Sequence, residues 1–207
     1  MDWLRRTGHP SPTEAHAAAV AQPEPIEGAA PGVAALLNGI CEDRSHAVLD
    51  LGPAGDHSLR LYSRFARWIR FADLLGEPWR QAEGSAAGPL KTMLPQLERR
   101  YDLVFAWDIL DRLFPDDRPH LMEWLADGTA PDARLHALMR ASEHAIMSPL
   151  RFTLLDIDRI RYESTGTARL PPSRLLPADV AKVLMPFQVV HAFTLKTGFR
   201  EYVAVRR

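Results

Sequence analysis

Two hydrophobic rhythms alternate along this chain. Val33, Leu36, Leu37, Ile40 and Cys41 recur at helical steps on one face, which predicts an amphipathic helix ending near residue 44. Gly39 weakens such a helix by about 1 kcal/mol relative to alanine without forbidding it. Residues 46–51 are a strand-length apolar run that closes on an acid and a tight turn, Asp50-Leu51-Gly52-Pro53-Ala54-Gly55. Leu59, Tyr62 and Phe65 then return to helical spacing, so a helix is predicted over 57–67 with Asp56 as its N-cap.

Residues 68–72 read as a second strand closing on Asp73, and 76–88, with Pro78, Gly84 and Gly88, as a loop. A short helix over 90–99, bent at Pro95, follows. Residues 101–107 are apolar on both alternating faces and close on Asp108. That is the pattern of a central parallel strand covered on both sides. A helix over 119–126 leads to a strand over 134–139. From 151 to 163 Phe152, Leu154, Ile157, Ile160 and Tyr162 alternate with charged neighbours, as a hairpin or an extended excursion would. A helix over 177–184 precedes two long strands, 187–196 and 199–205, joined at Thr197-Gly198. They form an antiparallel hairpin.

Residues 1–31 lack any such rhythm. Pro10, Pro12, Pro23, Pro25 and Pro31 stand among Ala, Glu and Gly, so this arm is expected to be disordered, with at most a short helix over 13–21. Trp3 and Leu4 either dock on the core or belong to a frayed terminus. Residues 32–207 form one domain with an excursion at about 148–176. The order of elements makes it α/β, a Rossmann-like mostly parallel sheet flanked by helices and ending in an antiparallel β-hairpin.

Composition narrows the partners. The chain has 207 residues, 46% hydrophobic and 25% charged, enough for one domain with a sizeable core. A net charge of −1 argues against bulk attraction to nucleic acid or membrane. The basic residues are 22 Arg against 3 Lys, a mark of genome composition first and of anion recognition second. One cysteine, Cys41, excludes an intramolecular disulfide and suits a reducing cytosol; its spacing makes it a small core residue. No apolar run approaches about 18 residues, and the N-terminus has no apolar signal region. A cytoplasmic protein is expected.

The strand–turn–helix at Asp50 is the first unit of the sheet, and ligands in such sheets sit at the carboxyl end of that strand. Glycines there let the backbone approach a ligand closely. The stretch resembles motif I of the class I S-adenosylmethionine-dependent methyltransferases, which reads acid-x-Gly-x-Gly-x-Gly. Asp50 and Gly52 match it, while Ala54 and Asp56 stand where the second and third glycines would be. With the terminal hairpin, the resemblance runs from Val33 to Arg207 and is nearest to small bacterial methyltransferase-like proteins. It implies S-adenosyl-L-methionine as cofactor and methyl transfer to a small molecule or a protein side chain. The alternative is a catalytically inactive methyltransferase-fold binding or interaction module. Its support is the substituted glycines and the 27 residues between Asp73 and Tyr101, too poor in strand pattern for the edge strand of the family, which is reduced or missing.

The resemblance also assigns roles. Asp50 lies beneath the methionine end of the cofactor and fixes the turn; Gly52, Pro53, Ala54 and Gly55 cradle it. Asp73, 23 residues after Asp50, accepts the ribose hydroxyls, as acids do at the end of the second strand of dinucleotide-binding folds, with Leu74 beside it. Ala106 and Trp107 correspond to motif IV, facing the transferred methyl group, and Asp108 is the catalytic candidate, able to accept a proton from an attacking oxygen or nitrogen. The structural alternatives are a turn-holding Asp50, a capping Asp73 and a core Trp107. An Asn/Asp/Ser-Pro-Pro-aromatic run, typical of amino-methylating nucleic-acid enzymes, is absent. The excursion becomes lid-like in this family; its Arg151, Arg159, Arg161, Arg169 and Arg174 bind an anion or, with Asp156, Asp158 and Glu163, form a salt-bridged face. None of the eight histidines has zinc-ligand spacing, and no metal is expected.

Overall fold

The computed structural model describes residues 24–74, 90, 94–141, 150–165 and 175–207. Its main sheet has six strands: β2 (His46–Asp50), β3 (Ala66–Phe71), β4 (Tyr101–Phe105), β5 (Thr129–Arg140), β8 (Phe187–Thr194) and β9 (Phe199–Arg206). They lie in the order β3-β2-β4-β5-β9-β8. β2, β3, β4 and β5 run parallel; β9 runs against β5 and against β8. The β8–β9 hairpin turns at Gly198, whose φ of 85° suits a residue without a Cβ. Among the described residues β3 and β8 are the edges of this sheet; most of the stretch between Asp73 and Tyr101, where the family's edge strand is expected to be reduced or missing, lies outside the described residues.

Alternation along the strands sends side chains to two cores. Leu49, Val104, Leu135, Ala137 and Tyr202 face α3 (Ile109–Arg112), α4 (Arg118–Asp127) and α5 (Pro177–Val183). Val48, Leu103, Phe105, Leu138 and Val203 face α1 (Pro31–Leu37), α2 (Asp56–Tyr62) and a second, three-stranded sheet. That sheet is the excursion resolved as a hairpin, β6 (Leu150–Asp156) and β7 (Arg159–Ser164), with β1 (Ile26–Ala29) paired antiparallel to β7. Phe152, Leu154, Ile160 and Tyr162 point from it into the core. Among the described residues no helix is long and apolar enough to cross a membrane.

Several expectations change. The arm was expected to reach residue 31, but β1 is built before that, held by backbone pairing to β7 and by Glu27, which bridges Arg159 and Arg161 at 2.9 and 2.7 Å. Residues 1–23, including Trp3 and Leu4, lie outside the described residues. α1 stops at Leu37 instead of near residue 44, because Gly39 takes a left-handed φ of 75°. Cys41, expected in the core, is exposed. α2 starts at Asp56 with Gly55 as the flanking residue, so Asp56 is in the first turn and not the cap. Residues 94–100 are not helical; Pro95 removes a donor and pushes the residue before it out of helical geometry.

Candidate functional site

Asp50 ends β2 with its side chain on the face covered by α2 and the small sheet. It is 2% exposed. Its Oδ1 accepts the Gly52 N–H at 2.8 Å and the Trp107 indole N–H at 2.5 Å, and its Oδ2 accepts the Tyr62 hydroxyl at 2.8 Å. Burial pushes the carboxyl up to about 6, against the pull of these donors. Burial first, then the Asp50 charge, lifts the Tyr62 hydroxyl well above its ordinary range.

This carboxylate organises the turn. Gly52 is tightly enclosed: a Cβ there would stand 3.1 Å from both Asp50 Oδ1 and Trp107 Nε1, so both side chains would have to give by a few tenths of an ångström. Beyond it the turn opens. Ala54 is exposed, Pro53 and Gly55 are half-buried, and nothing lies within 4 Å of a Cβ built on Gly55. The chain leaving β3 is laced to the same turn. Ala72, Asp73 and Leu74 donate their N–H groups to Asp50 O, Gly52 O and Leu51 O at 2.8, 3.2 and 2.9 Å. Asp73 has a φ of 44°, a conformation that short polar side chains tolerate, and its carboxyl is exposed beside the open turn. Leu74 points the other way, buried in the helical-side core.

The strand β4 ends differently from the family expectation. Ala106 and Trp107 are both 1% exposed. Trp107 adopts φ 48°, and its ring lies parallel to Phe152 of β6, with centroids 5.4 Å apart. Asp108 is also buried and pairs with Arg112 at 2.8 Å. Arg112 in turn donates to Leu150 O at the head of β6 (2.5 Å). Burial raises the Asp108 carboxyl above its usual range despite Arg112. Beside it Asp111, pushed by burial to about 6, accepts the Arg140 N–H at 2.5 Å. Farther along the sheet, His136 Nε2 and Glu201 Oε1 are 2.9 Å apart and wholly buried, and Glu201 Oε2 accepts the Gly32 N–H at 2.6 Å.

The structure thus brings Asp50, Gly52, Trp107 and Asp73 together, with Pro53–Gly55 open beside them, and sets Asp108 apart in its own ion pair. The hairpin arginines Arg159 and Arg161 are taken up by Glu27, so the salt-bridged alternative describes them; Arg169 and Arg174 lie outside the described residues. Tyr62, Phe152, His136, Glu201, Asp111, Arg112 and Arg140 were not singled out as site residues. Among the described residues no cluster of three or more His, Cys, Asp or Glu could hold a metal. A groove of about 850 Å³ between α4 and α5 includes Leu176, Lys182 and Met185 and no residue of the turn.

For a nucleoside sulfonium cofactor the fit is divided. The open turn and the exposed Asp73 suit a ribose. Asp50 suits the role of turn-holder, since each of its oxygens already has donors from the protein.

No protein-family model matches the chain, and a search among curated proteins finds no match. Solved structures do resemble it. An S-adenosylmethionine-dependent methyltransferase from Mesorhizobium loti is 16% identical over 83% of this chain and 96% of its own, with a TM-score of 0.52. A protein described as a type 11 methyltransferase from Sulfolobus solfataricus is 15% identical over 83% and 89%, with a TM-score of 0.50. The 1,6-didemethyltoxoflavin-N1-methyltransferase of Burkholderia thailandensis, solved with bound 1,6-didemethyltoxoflavin and S-adenosylhomocysteine, is 21% identical over 85% and 76%, with a TM-score of 0.49. Sheet order, the reversed β9 and the first two of these neighbours agree that the chain has a class I S-adenosylmethionine-dependent methyltransferase-like fold.

Proposed function

We propose that the protein binds S-adenosylmethionine at the turn after β2 and transfers its methyl group to a small molecule or protein side chain. The observation that carries this reading is Asp73. Its carboxyl is exposed at the end of the second parallel strand, and its N–H is tied to Gly52 O. That is where an acid accepts ribose hydroxyls in folds of this kind. Bound S-adenosylmethionine supplies an electrophilic methyl carbon activated by the sulfonium. The chain's part is then chiefly positioning, since an in-line attack gains most from proximity and alignment. Asp50 holds the Gly52 amide, the turn supplies close backbone approach, and Asp73 orients the sugar. For Asp108 to take a proton from the nucleophile, it has to leave its buried pair with Arg112. The cytoplasm is the expected compartment.

Calorimetric titration of cofactor-stripped protein with S-adenosylhomocysteine tests the reading. Asp73→Asn is the discriminating variant, because Asn tolerates the left-handed backbone while removing the charge. It is expected to weaken binding by about 1.5–3 kcal/mol, the range for a hydrogen bond to a charged acceptor, with the ligand-free melting temperature nearly unchanged. Equal affinity removes Asp73 from the site. No binding of either protein at millimolar ligand would favour the inactive-module alternative.

A further inference from the structure

We propose that Trp107 is the positioning residue of the glycine turn: its indole, stacked on Phe152 of the β6–β7 hairpin, fixes the Asp50 carboxylate and through it the Gly52 amide. Three independent features converge on this ring. Its backbone has φ 48°, an outlier for a bulky residue that persists only where the surroundings over-determine it. Two contacts do so, since the Trp107 carbonyl accepts the Leu138 N–H of β5 at 2.8 Å and the ring is clamped parallel to Phe152. The indole N–H then shares Asp50 Oδ1 with the Gly52 N–H and fills the space where any side chain at position 52 would stand.

The hairpin is pinned to the same unit a second time. Ser58 of α2 accepts the Leu154 N–H at 3.3 Å. The turn is therefore held between the end of β4 and the small sheet, and the hairpin's placement is felt at Gly52 through one carboxylate.

The groups around that carboxylate are few. Tyr62 comes from α2, and His136 of β5 acts on it by charge, with Glu201 of β9 hydrogen-bonded behind that histidine. Behind these donors Phe71 of β3 lies against the Tyr62 ring, and Phe152 of the hairpin against Trp107. Loss of the indole donor leaves Asp50 Oδ1 with the Gly52 N–H alone and disfavours the carboxylate form. Trp107 acts through Asp50, so its signature is a change in how Asp50 titrates.

The experiment follows the carboxyl carbon of Asp50 and the amide of Gly52 by NMR across pH in the full chain without ligand. In the wild type both signals move together, with a midpoint near 6. In Trp107→Phe the midpoint is expected to rise by about one unit or more, as the loss of a hydrogen bond to a charged acceptor requires. Should that variant fail to fold, 3-benzothienylalanine at position 107 keeps the ring shape and removes only the donor. The ligand arm rests on the reading above: S-adenosylhomocysteine affinity at pH 7 falls about twofold for a one-unit rise and about tenfold for a two-unit rise in the donor-less proteins, and recovers as pH rises past the new midpoint. An unchanged Asp50 midpoint in the variant that folds overturns the proposal. A shifted Asp50 midpoint in the variant, with no S-adenosylhomocysteine binding even by the wild type, supports the Trp107 lock and overturns the methyl-transfer reading instead.

Discussion

Glu201→Ala is expected to cost about 3–5 kcal/mol of stability, since it strands two buried hydrogen-bonding partners and leaves a cavity. Glu201 is wholly buried in the middle of β9, between Phe199 and Val203 on the same face. One oxygen accepts from Gly32 at the start of α1, and the other meets His136 of β5. Alanine would orphan the Gly32 N–H and the imidazole together and leave a cavity under α1. Glu201→Gln keeps an acceptor for Gly32 and should lose only about 1 kcal/mol, near the net value of one hydrogen bond. Gly32→Ala probes the same joint from the helix side. Its Cβ would stand 2.6 Å from Glu201 Cβ and 2.9 Å from Cδ, an overpacking worth about 1–3 kcal/mol. Urea midpoints at constant m-value measure all three. A loss below about 1 kcal/mol in Glu201→Ala, well under the cost of stranding a buried donor, would mean that water reaches the pair.

Of the parallel strands, β2 and β4 were legible because they are buried on both faces, which leaves unbroken apolar runs. The β8–β9 hairpin was legible from its Gly turn. β1 was not. Its Ile26-Glu27-Gly28-Ala29 is mostly exposed and carries no period. Backbone pairing and two ion pairs to β7 hold it, and both depend on a partner more than 130 residues away. The end of α1 was misread for a local reason, since apolar spacing continues through Gly39 while the backbone does not.

The site was half legible. Asp50, Gly52 and Asp73 sit at strand ends, where sequence spacing alone finds them. Their companions come from sheet order. Trp107 reaches Asp50 because β4 lies next to β2, and Phe152 reaches Trp107 because the hairpin folds back over β4. Glu201 left a signal that could have been used: in Phe199, Glu201, Val203 and Val205 a period of two places an acid on an apolar face. A buried acid demands partners, and β5, with His136 among apolar neighbours, was the strand to look in.

Asp50→Ala and Asp50→Asn are expected to diverge sharply at pH 7. Alanine strands three buried donors, from Gly52, Tyr62 and Trp107. At about 1–3 kcal/mol for each unsatisfied group, the protein should lose roughly 3–5 kcal/mol after relaxation. Asparagine keeps a carbonyl oxygen for Gly52 and Trp107 and offers an amide to a reoriented Tyr62 hydroxyl. It should stay within about 1 kcal/mol of the wild type or exceed it, because a buried charge has been removed. The sign of the pH dependence follows from burial. Asp50 titrates near 6 when folded against an ordinary 3.8, so between those values the native state holds more protons than the unfolded state. Stability then falls as pH rises through that window and is flat above it. For one such group the full change is at most about 3 kcal/mol. Asp111, also raised to about 6, adds a fall in the same window. Wild-type melting temperature should therefore climb on acidification from pH 7 towards 5, and Asp50→Asn should climb less, retaining the Asp111 share. Parallel profiles for the two proteins would mean that the three donors already hold Asp50 ionised throughout, and that its burial costs the fold nothing across this range.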